Sequence, residues 1–409
     1  MTGPGERPPF PKRRDDRNRR VRRWATRVAA GGGVGFLLAF LLGGAAGVLC
    51  AAAGLAIGLA AGHPFMIAPP GVPILTYHSV SPDSSWLPWA DEIAVHPDTL
   101  RAHLDTIRKM GCTIVSTAAL VEARREGRPL PDGAIALHFD DGYADNWLFA
   151  APILREAGAP ATFFASLDFV APGGEPREAT ATADYRGYMN WAELRALDQE
   201  PLFDVEPHGI DHGRVAVSAR AVNRLTRDNW RSLAWMQWAK VPGDKHDWYL
   251  WTAPPAVPLG SAVPESEGAL AAAAYEDGKR ETGEGYRGRV TSHLGRCASA
   301  WRERLGRDPS IFCWPENRVS AAAREVAAEL GYSATTAGSG RNTRAEPACI
   351  LSRIHAGDRA LGFRFGPAER LRIRAAIRLF QGNHYWWLIS APMDLVRRIA
   401  MRTRRGPSK

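Results

Sequence analysis

An α/β fold with a mostly parallel sheet, preceded by one membrane-crossing helix, is what this 409-residue sequence predicts. Two observations carry that class. From about residue 72 to residue 354, short β-rich apolar runs alternate with longer stretches of helical period, the pattern of a parallel sheet, open or closed into a barrel. Ahead of them, every residue of 28–62 is Ala, Gly, Val, Leu, Ile, Phe or Cys. That run of 35 exceeds the roughly 20 residues a helix needs to cross a bilayer.

The elements follow in order. Residues 1–27 hold an Arg cluster from Arg13 to Arg27, and the positive-inside bias makes them a basic cytoplasmic tail. Residues 28–62 are expected as an uncleaved anchor, because a signal peptide has a shorter apolar core of about 7–15 residues. They are too few for two crossings and a turn. With a single pass through a bacterial-type inner or plasma membrane, everything after His63 lies on the extracytoplasmic side. A Pro/Gly linker at 63–71 leads into a domain over 72–365. Strands are predicted at 72–77, 113–115, 134–139, 161–165, 202–205, 311–314, 332–335 and 350–354. Helices are predicted at 97–110, 118–126, 146–157, 191–197, 286–305 and 321–330. Residues 215–284 break this rhythm with five tryptophans and several prolines, and are expected as an insertion in a loop. The tryptophans suit sugar rings as well as the insertion's own small core, with the core favoured. Residues 366–409 mix Arg with Leu, Ile, Trp and Phe, as a basic amphipathic tail at a membrane surface would.

The charge is distributed in a way that excludes one function class. The formal net charge is +9, but the first 30 residues carry +7 and residues 361–409 carry +9, leaving −7 for the body. Basic ends on an acidic body fit anionic lipid headgroups and not the basic face that follows nucleic-acid phosphates. Five widely spaced cysteines without a C-x-x-C pair are expected as small buried residues, with no disulfide pairing decided.

Four segments at strand ends can carry chemistry. Leu137-His138-Phe139-Asp140-Asp141-Gly142-Tyr143 places two carboxylates at the end of an apolar strand, where holding them is costly unless their charge is used. Successive strand side chains diverge, so one Asp can bind a metal while the other faces substrate. Glu206-Pro207-His208-Gly209-Ile210-Asp211-His212 offers two His four apart, a spacing used by divalent-metal sites. With Asp141, His208 and His212 make a two-His-one-carboxylate set, open for water and substrate as catalytic sites are. Tyr77-His78 ends the first strand. Phe312-Cys313-Trp314-Pro315 and Arg353-Ile354-His355 end later ones. Each segment alone is equally a polar turn or a structural His. No Gly-x-Ser-x-Gly elbow, P-loop or dinucleotide fingerprint is present.

The order Tyr-His, Phe-Asp-Asp-Gly-Tyr, His-x-x-x-His, Trp-Pro, Arg-Ile resembles the polysaccharide deacetylase (NodB-homology) family, over roughly 72–355 apart from the insertion. It is most similar to the circularly permuted branch that includes poly-N-acetylglucosamine deacetylases. The resemblance implies a distorted (β/α) barrel and metal-dependent hydrolysis of an N-acyl, expectedly N-acetyl, group from an amino sugar of a surface polysaccharide or lipid-linked glycan. It implies Asp140 as general base, and Asp141, His208 and His212 as ligands of Zn²⁺ or a similar divalent ion that acidifies water and polarises the acyl oxygen. Trp314, Pro315 and Glu316 would flank substrate, with a backbone N–H after Pro315 meeting the oxyanion. His78 would be the general acid, His355 its rival, and Arg353 would orient Asp140. Glu316 and Asn317 depart from the aromatic-Gly pair usual after that Pro. A carboxylate beside the oxyanion favours one other reading, a catalytically silent, membrane-tethered glycan-binding protein; the resemblance also allows deformylation of a lipid-linked amino sugar.

Overall fold

The computed structural model describes residues 12–178, 180 and 183–405. The first eleven residues of the basic N-terminal segment and the last four of the C-terminal tail lie outside the described residues. The alternation expected from sequence is what the chain forms. Strands β1 (Ile74–Tyr77), β2 (Ala136–Phe139), β3 (Ala161–Ala165) and β4 (Phe203–Pro207) lie parallel, with Leu75 beside Leu137, His138 beside Thr162 and Phe163 beside Val205. The insertion adds β5 (Arg214–Arg224), antiparallel to β6 (Ala262–Gly268), and a small ribbon of β7 (Tyr275–Glu276) with β8 (Lys279–Arg280). A second parallel sheet follows from β9 (Ile311–Phe312), β10 (Ala334–Gly338) and β11 (Ile350–Ser352), and β12 (Ile354–His355) returns beside β1. The strand orders are β12-β1-β2-β3-β4 and β11-β10-β9. Cys313 N–H donates to Pro207 O at 3.1 Å between the two sheets, and Arg353 alone separates β11 from β12.

The central strands are buried because helices cover the sheet. All four residues of β1 and all five of β3 are buried. The helix Pro97–Lys109 starts with Pro at its first position and an Asp98 N–H capped by His96, and buries Leu100, Leu104 and Ile107 at helical spacing. The helix Trp191–Asp198 opens on a reciprocal Asn190–Glu193 capping box. Gly283–Leu305 buries Tyr286, Val290, Leu294, Cys297 and Trp301 along one stripe. All five cysteines are free thiols.

The N-terminal run departs from expectation. It forms two helices, α1 (Arg13–Leu42) and α2 (Gly44–Met66), instead of one span. Gly43 and Gly44 both take positive φ (62° and 52°), which turns the chain back at no steric cost to glycine. The two helices then run antiparallel in close contact. A Cβ at Gly31 or Gly54 would overlap the opposite backbone, and Cβ atoms at Gly35, Gly47 and Gly58 would stand 2.6–2.8 Å from it. Small residues four apart (Gly31 and Gly35; Gly54, Gly58 and Gly62) permit this approach. Both outer ends of the hairpin therefore lie at the domain: Arg13 N–H donates to Ser339 O at 2.7 Å, and Trp24 and His63 both pack on Tyr385. The single span expected from the sequence is thus a pair of helices, each long and apolar enough to be a candidate span. The linker at 63–71 is also packed, with Met66 and Ala68 buried.

Two further boundaries shift. The segment expected as a tail from 366 begins with the helix Gly366–Phe380, whose Ile373 and Ile377 belong to the main core; it packs on Pro97–Lys109 and so belongs to the domain. Only the last helix, Trp387–Arg405, keeps the amphipathic character expected, exposing Leu388, Leu395, Val396 and Ile399. In the insertion, Trp230 is buried with Leu225, Met236 and Val263 in a core of its own, whereas Trp238 and Trp248 pack against Leu87, Phe169 and Tyr188 of the domain, and Trp235 and Trp238 line the central cleft.

Candidate active site

A cleft of about 1060 Å³ opens where the C-terminal ends of β1, β2 and β4 meet. β2 delivers Asp140 and Asp141. Asp141 has φ +74° and Gly142 follows with φ +74°, a left-handed pair that turns the chain sharply and sends the two carboxylates apart. A non-glycine residue in that region costs about 1–3 kcal/mol, strain found mostly at functional sites. Gly142 is required: a Cβ there would stand 3.0 Å from Ala165 Cβ.

Asp141 meets the two histidines that leave β4. His212 Nε2 lies 2.9 Å from Asp141 Oδ1, His208 Nε2 lies 3.2 Å from it, and the two Nε2 atoms are 3.0 Å apart. The other ring nitrogen of His208 donates to Cys313 O at 2.9 Å, which leaves Nε2 with its lone pair. Three ligand atoms thus converge in a largely buried place, and with both rings neutral this set fits a divalent cation. Burial would raise the Asp141 carboxyl, but the His212 charge and hydrogen bonds from both rings hold it well below the usual range. A second cluster, Asp140, His208 and Cys313, fits less well, since Asp140 is engaged by Arg353 and the Cys313 thiol accepts from Thr336 Oγ1 at 3.6 Å.

Asp140 takes the other role. It is 2% exposed, and Arg353 Nη1 donates to its Oδ1 at 2.7 Å from between β11 and β12. Burial alone would push its carboxyl up; the Arg353 charge, followed by those of His208 and His78, outweighs this and holds it at about 2. His78, at the end of β1, has Nε2 3.9 Å from Asp140 Oδ2, and its Nδ1 is buried without a partner. Burial lowers its pKa against the pull of Asp141 and Asp140. His355 lies beside His78 with the rings tilted by 58° and 5.3 Å between centroids, but its Nε2 donates to Glu92 O at 2.7 Å.

The third motif divides. Trp314 is fully buried against Phe312 and does not line the cleft, so its side chain packs the core instead of meeting substrate. Pro315 opens the 3-10 turn Pro315–Asn317, and the Glu316 N–H in its first turn has no intrahelical acceptor. Glu316 (φ +56°) lines the cleft paired with Arg214, which neutralises the carboxylate that stood out in the sequence.

Two residues that sequence reasoning passed over hold this arrangement. Asp145 is fully buried and accepts from Ser79 Oγ (2.6 Å), Val80 N (3.0 Å) and Asn146 Nδ2 (2.8 Å), while Asn146 also donates to His78 O (2.9 Å). The β2 loop thereby fixes the loop that carries His78. Burial pushes the Asp145 carboxyl up to about 7 despite these donors. The signal was present, since Asp145 stands in the same Phe-Asp-Asp-Gly-Tyr-Ala-Asp-Asn block. His293 accepts from Ile210 N–H at 2.7 Å and braces the loop between His208 and His212; a Cβ at Gly209 would lie 3.0 Å from its ring.

Comparison with known proteins agrees with this geometry. Residues 127–251 match the family model of polysaccharide deacetylases. The poly-beta-1,6-N-acetyl-D-glucosamine N-deacetylase of Escherichia coli (strain K12) is 26% identical over 265 residues, 64% of this chain and 33% of the relative. The chain thus spans about a third of the length of that relative. The BpsB deacetylase domain from Bordetella bronchiseptica superposes with TM-score 0.50 at 22% identity, covering 71% of this chain and 97% of that domain, and shows the shared parallel-strand α/β fold. Residues 127–251, which carry Asp140, Asp141, His208 and His212, are thus a match to the polysaccharide deacetylase domain.

Proposed function

We propose that this protein removes N-acyl groups, acetyl first among them, from an amino sugar in a glycan, as a metal-dependent N-deacetylase. The observation that carries this reading is the convergence on one cleft of the Asp141–His208–His212 donor set, the ionised Asp140 and His78. The two sheets support a distorted barrel, joined at one edge by Cys313 N–H to Pro207 O and at the other by the chain itself through Arg353. The loops after parallel strands are where such barrels carry chemistry.

Asp141, His208 and His212 would hold the ion, Zn²⁺ or another divalent metal. When bound it supplies a Lewis acid for the attacking water and the acyl oxygen. Asp140 stays ionised through Arg353 and takes the proton of that water. The Glu316 N–H would donate to the acyl oxygen as charge builds there. His78 gives a proton to the departing nitrogen, so the products are a carboxylate and a free amine. Trp89 and Trp235 offer aromatic faces on the cleft to the sugar ring. Deformylation of an amino sugar would use the same groups. The neutralised Glu316 removes the feature that favoured a silent binding protein.

α1 and α2 support membrane attachment, both being long and apolar enough to enter a bilayer. The apolar arm 28–42 reaches about 22 Å, short of a hydrocarbon core of about 30 Å, and ends in Gly43-Gly44 with no polar residue at the tip. A hairpin entering from the side on which the domain lies accounts for both facts.

The test is acetate release from a β-1,6-linked N-acetylglucosamine oligomer by the full chain in detergent, loaded with Zn²⁺. Asp140→Asn should abolish release while the metal stays bound. Undiminished release, or loss of the metal, would reverse the assigned roles of the two aspartates.

A further inference from the structure

One wall of the cleft has charge that the deacetylation chemistry does not use. Of the arginines lining it, Arg353 is paired with Asp140 and Arg214 with Glu316. Arg13, Arg397, Arg398 and Arg402 also line it, and none of these four is in an ion pair with a carboxylate of the described residues. The carboxylates of the cleft are Glu92, Asp140, Asp141 and Glu316, of which Asp140 and Glu316 are paired with Arg353 and Arg214 and Asp141 faces His208 and His212. Arg13 is positioned by donating to Gly340 O and Arg353 O and by lying over the Phe380 ring at 4.8 Å. The other three come from successive turns near the end of the helix Trp387–Arg405, on the side where His355 closes the cleft.

The sources of these four residues matter as much as their charge. Arg13 begins α1, the base of the apolar hairpin, and the C-terminal helix exposes Leu395, Val396 and Ile399 between its arginines. The cationic wall is therefore where the cleft meets the apolar elements, and Trp89 and Trp235 also line the cleft. A neutral glycan offers four guanidinium groups hydrogen-bond acceptors but no counter-charge. A phosphate ester supplies one, and guanidinium forks match phosphate oxygens in charge and geometry.

We propose that Arg13, Arg397, Arg398 and Arg402 form a subsite for the phosphate of a glycosyl phosphate, so that the N-acylated sugar is presented to Asp140 by its phosphate. This rests on the deacetylase reading above for the sugar, but the phosphate contact is measurable without turnover. The phosphate belongs to a lipid-linked sugar or to a soluble sugar phosphate, and the two are separated by the choice of probe.

The experiment uses the full chain in nonionic detergent, wild type beside Arg397→Gln/Arg402→Gln, both half-buried or exposed positions whose exchange leaves the core untouched. Affinity is measured by titration for N-acetylglucosamine 1-phosphate, for a polyprenyl phosphate carrying N-acetylglucosamine, for neutral chitotetraose and for phosphatidylglycerol vesicles. The double variant should lose about tenfold or more in affinity for a phosphate-bearing probe. The ratio of phosphate-bearing to neutral affinity should fall with it. Loss confined to the polyprenyl compound assigns the phosphate to a lipid carrier, and loss shared by both assigns it to sugar phosphates in general. Equal affinity of wild type and variant for both phosphate probes overturns the subsite. So does a variant that loses only its binding to phosphatidylglycerol vesicles, because the arginines would then serve the bilayer. Acetate release from the phosphate-bearing probes and from a β-1,6-linked N-acetylglucosamine oligomer, followed separately, reports the deacetylase reading; its absence from all of them with an intact phosphate preference would remove that reading and leave the subsite standing.

Discussion

Removing Arg353 tests the site's electrostatics most sharply. The guanidinium and the Asp140 carboxylate are 6% and 2% exposed and 2.7 Å apart, so neither can turn to water when the other is deleted. Breaking a buried pair by removing one partner costs about 3–5 kcal/mol, most of it the stranded charge. Arg353→Met should therefore destabilise the metal-free protein by about that amount, read from urea unfolding of the full chain in nonionic detergent with chelator present. Adding Asp140→Asn removes the stranded charge. The double variant should then be more stable than Arg353→Met alone by about 2 kcal/mol or more, a coupling that independent sites do not show. The pair also sets the charge of the base. Without Arg353, burial acts on Asp140 with only the histidines opposing it, so its carboxyl rises from about 2 and the acid limb of the rate profile moves to higher pH. A single variant costing under about 1 kcal/mol, or a double variant no better than the sum of the two singles, would refute the reasoning.

Other consequences are as specific. Asp145 is raised to about 7 in the fold from about 3.9 in an unfolded chain, so the native state binds the extra proton and stability is lost as pH rises from about 4 through about 7. Asp145→Asn keeps an acceptor for Val80 N–H and should cancel up to about 4 kcal/mol of that slope, measured as the wild-type-minus-variant difference across pH; an unchanged slope would mean the carboxyl titrates normally. His78→Ala should lower kcat by about 10²–10⁴, and His355→Ala far less, because His355 is tied to the Glu92 carbonyl; the reverse ranking would move the acid to His355. Trp24→Cys/Gly62→Cys should form a disulfide under mild oxidant, since a Cβ at Gly62 stands 3.5 Å from Trp24 Cα. A single continuous helix would hold those residues about 57 Å apart, and a chain that never crosslinks would restore it.

Much of this was legible in the residues. The strands bearing Asp140, His208 and His78 lie where apolar runs end in polar residues, because a parallel sheet covered on both faces writes itself as short apolar runs. The spacing of His208 and His212 survives as a shared direction of their Nε2 atoms because Gly209, with φ +88°, and His293 shape the loop between them. The hairpin was not legible in the same way. Ten glycines in an apolar run give many places to turn and no polar residue to mark one, and only Gly43-Gly44 takes positive φ. The helix Gly366–Phe380 was masked by Arg370, Arg372, Arg374 and Arg378, whose charges hide the stripe of Ile373, Ile377 and Phe380. Trp314 stands beside the site in sequence, but its backbone N–H is held by Thr336 Oγ1 and its ring packs on Phe312 in the core, which no adjacency in sequence reveals.

The most direct test is the metal content of the purified full chain, wild type beside His208→Ala/His212→Ala, after loading with Zn²⁺ and removal of free ion. About one divalent ion per chain in the wild type, lost in the double variant with the fold intact by circular dichroism, is the result this account predicts. A wild type that stays empty after loading, or a double variant that keeps its ion, would contradict it, because Asp141, His208 and His212 would then converge for some purpose other than holding a metal.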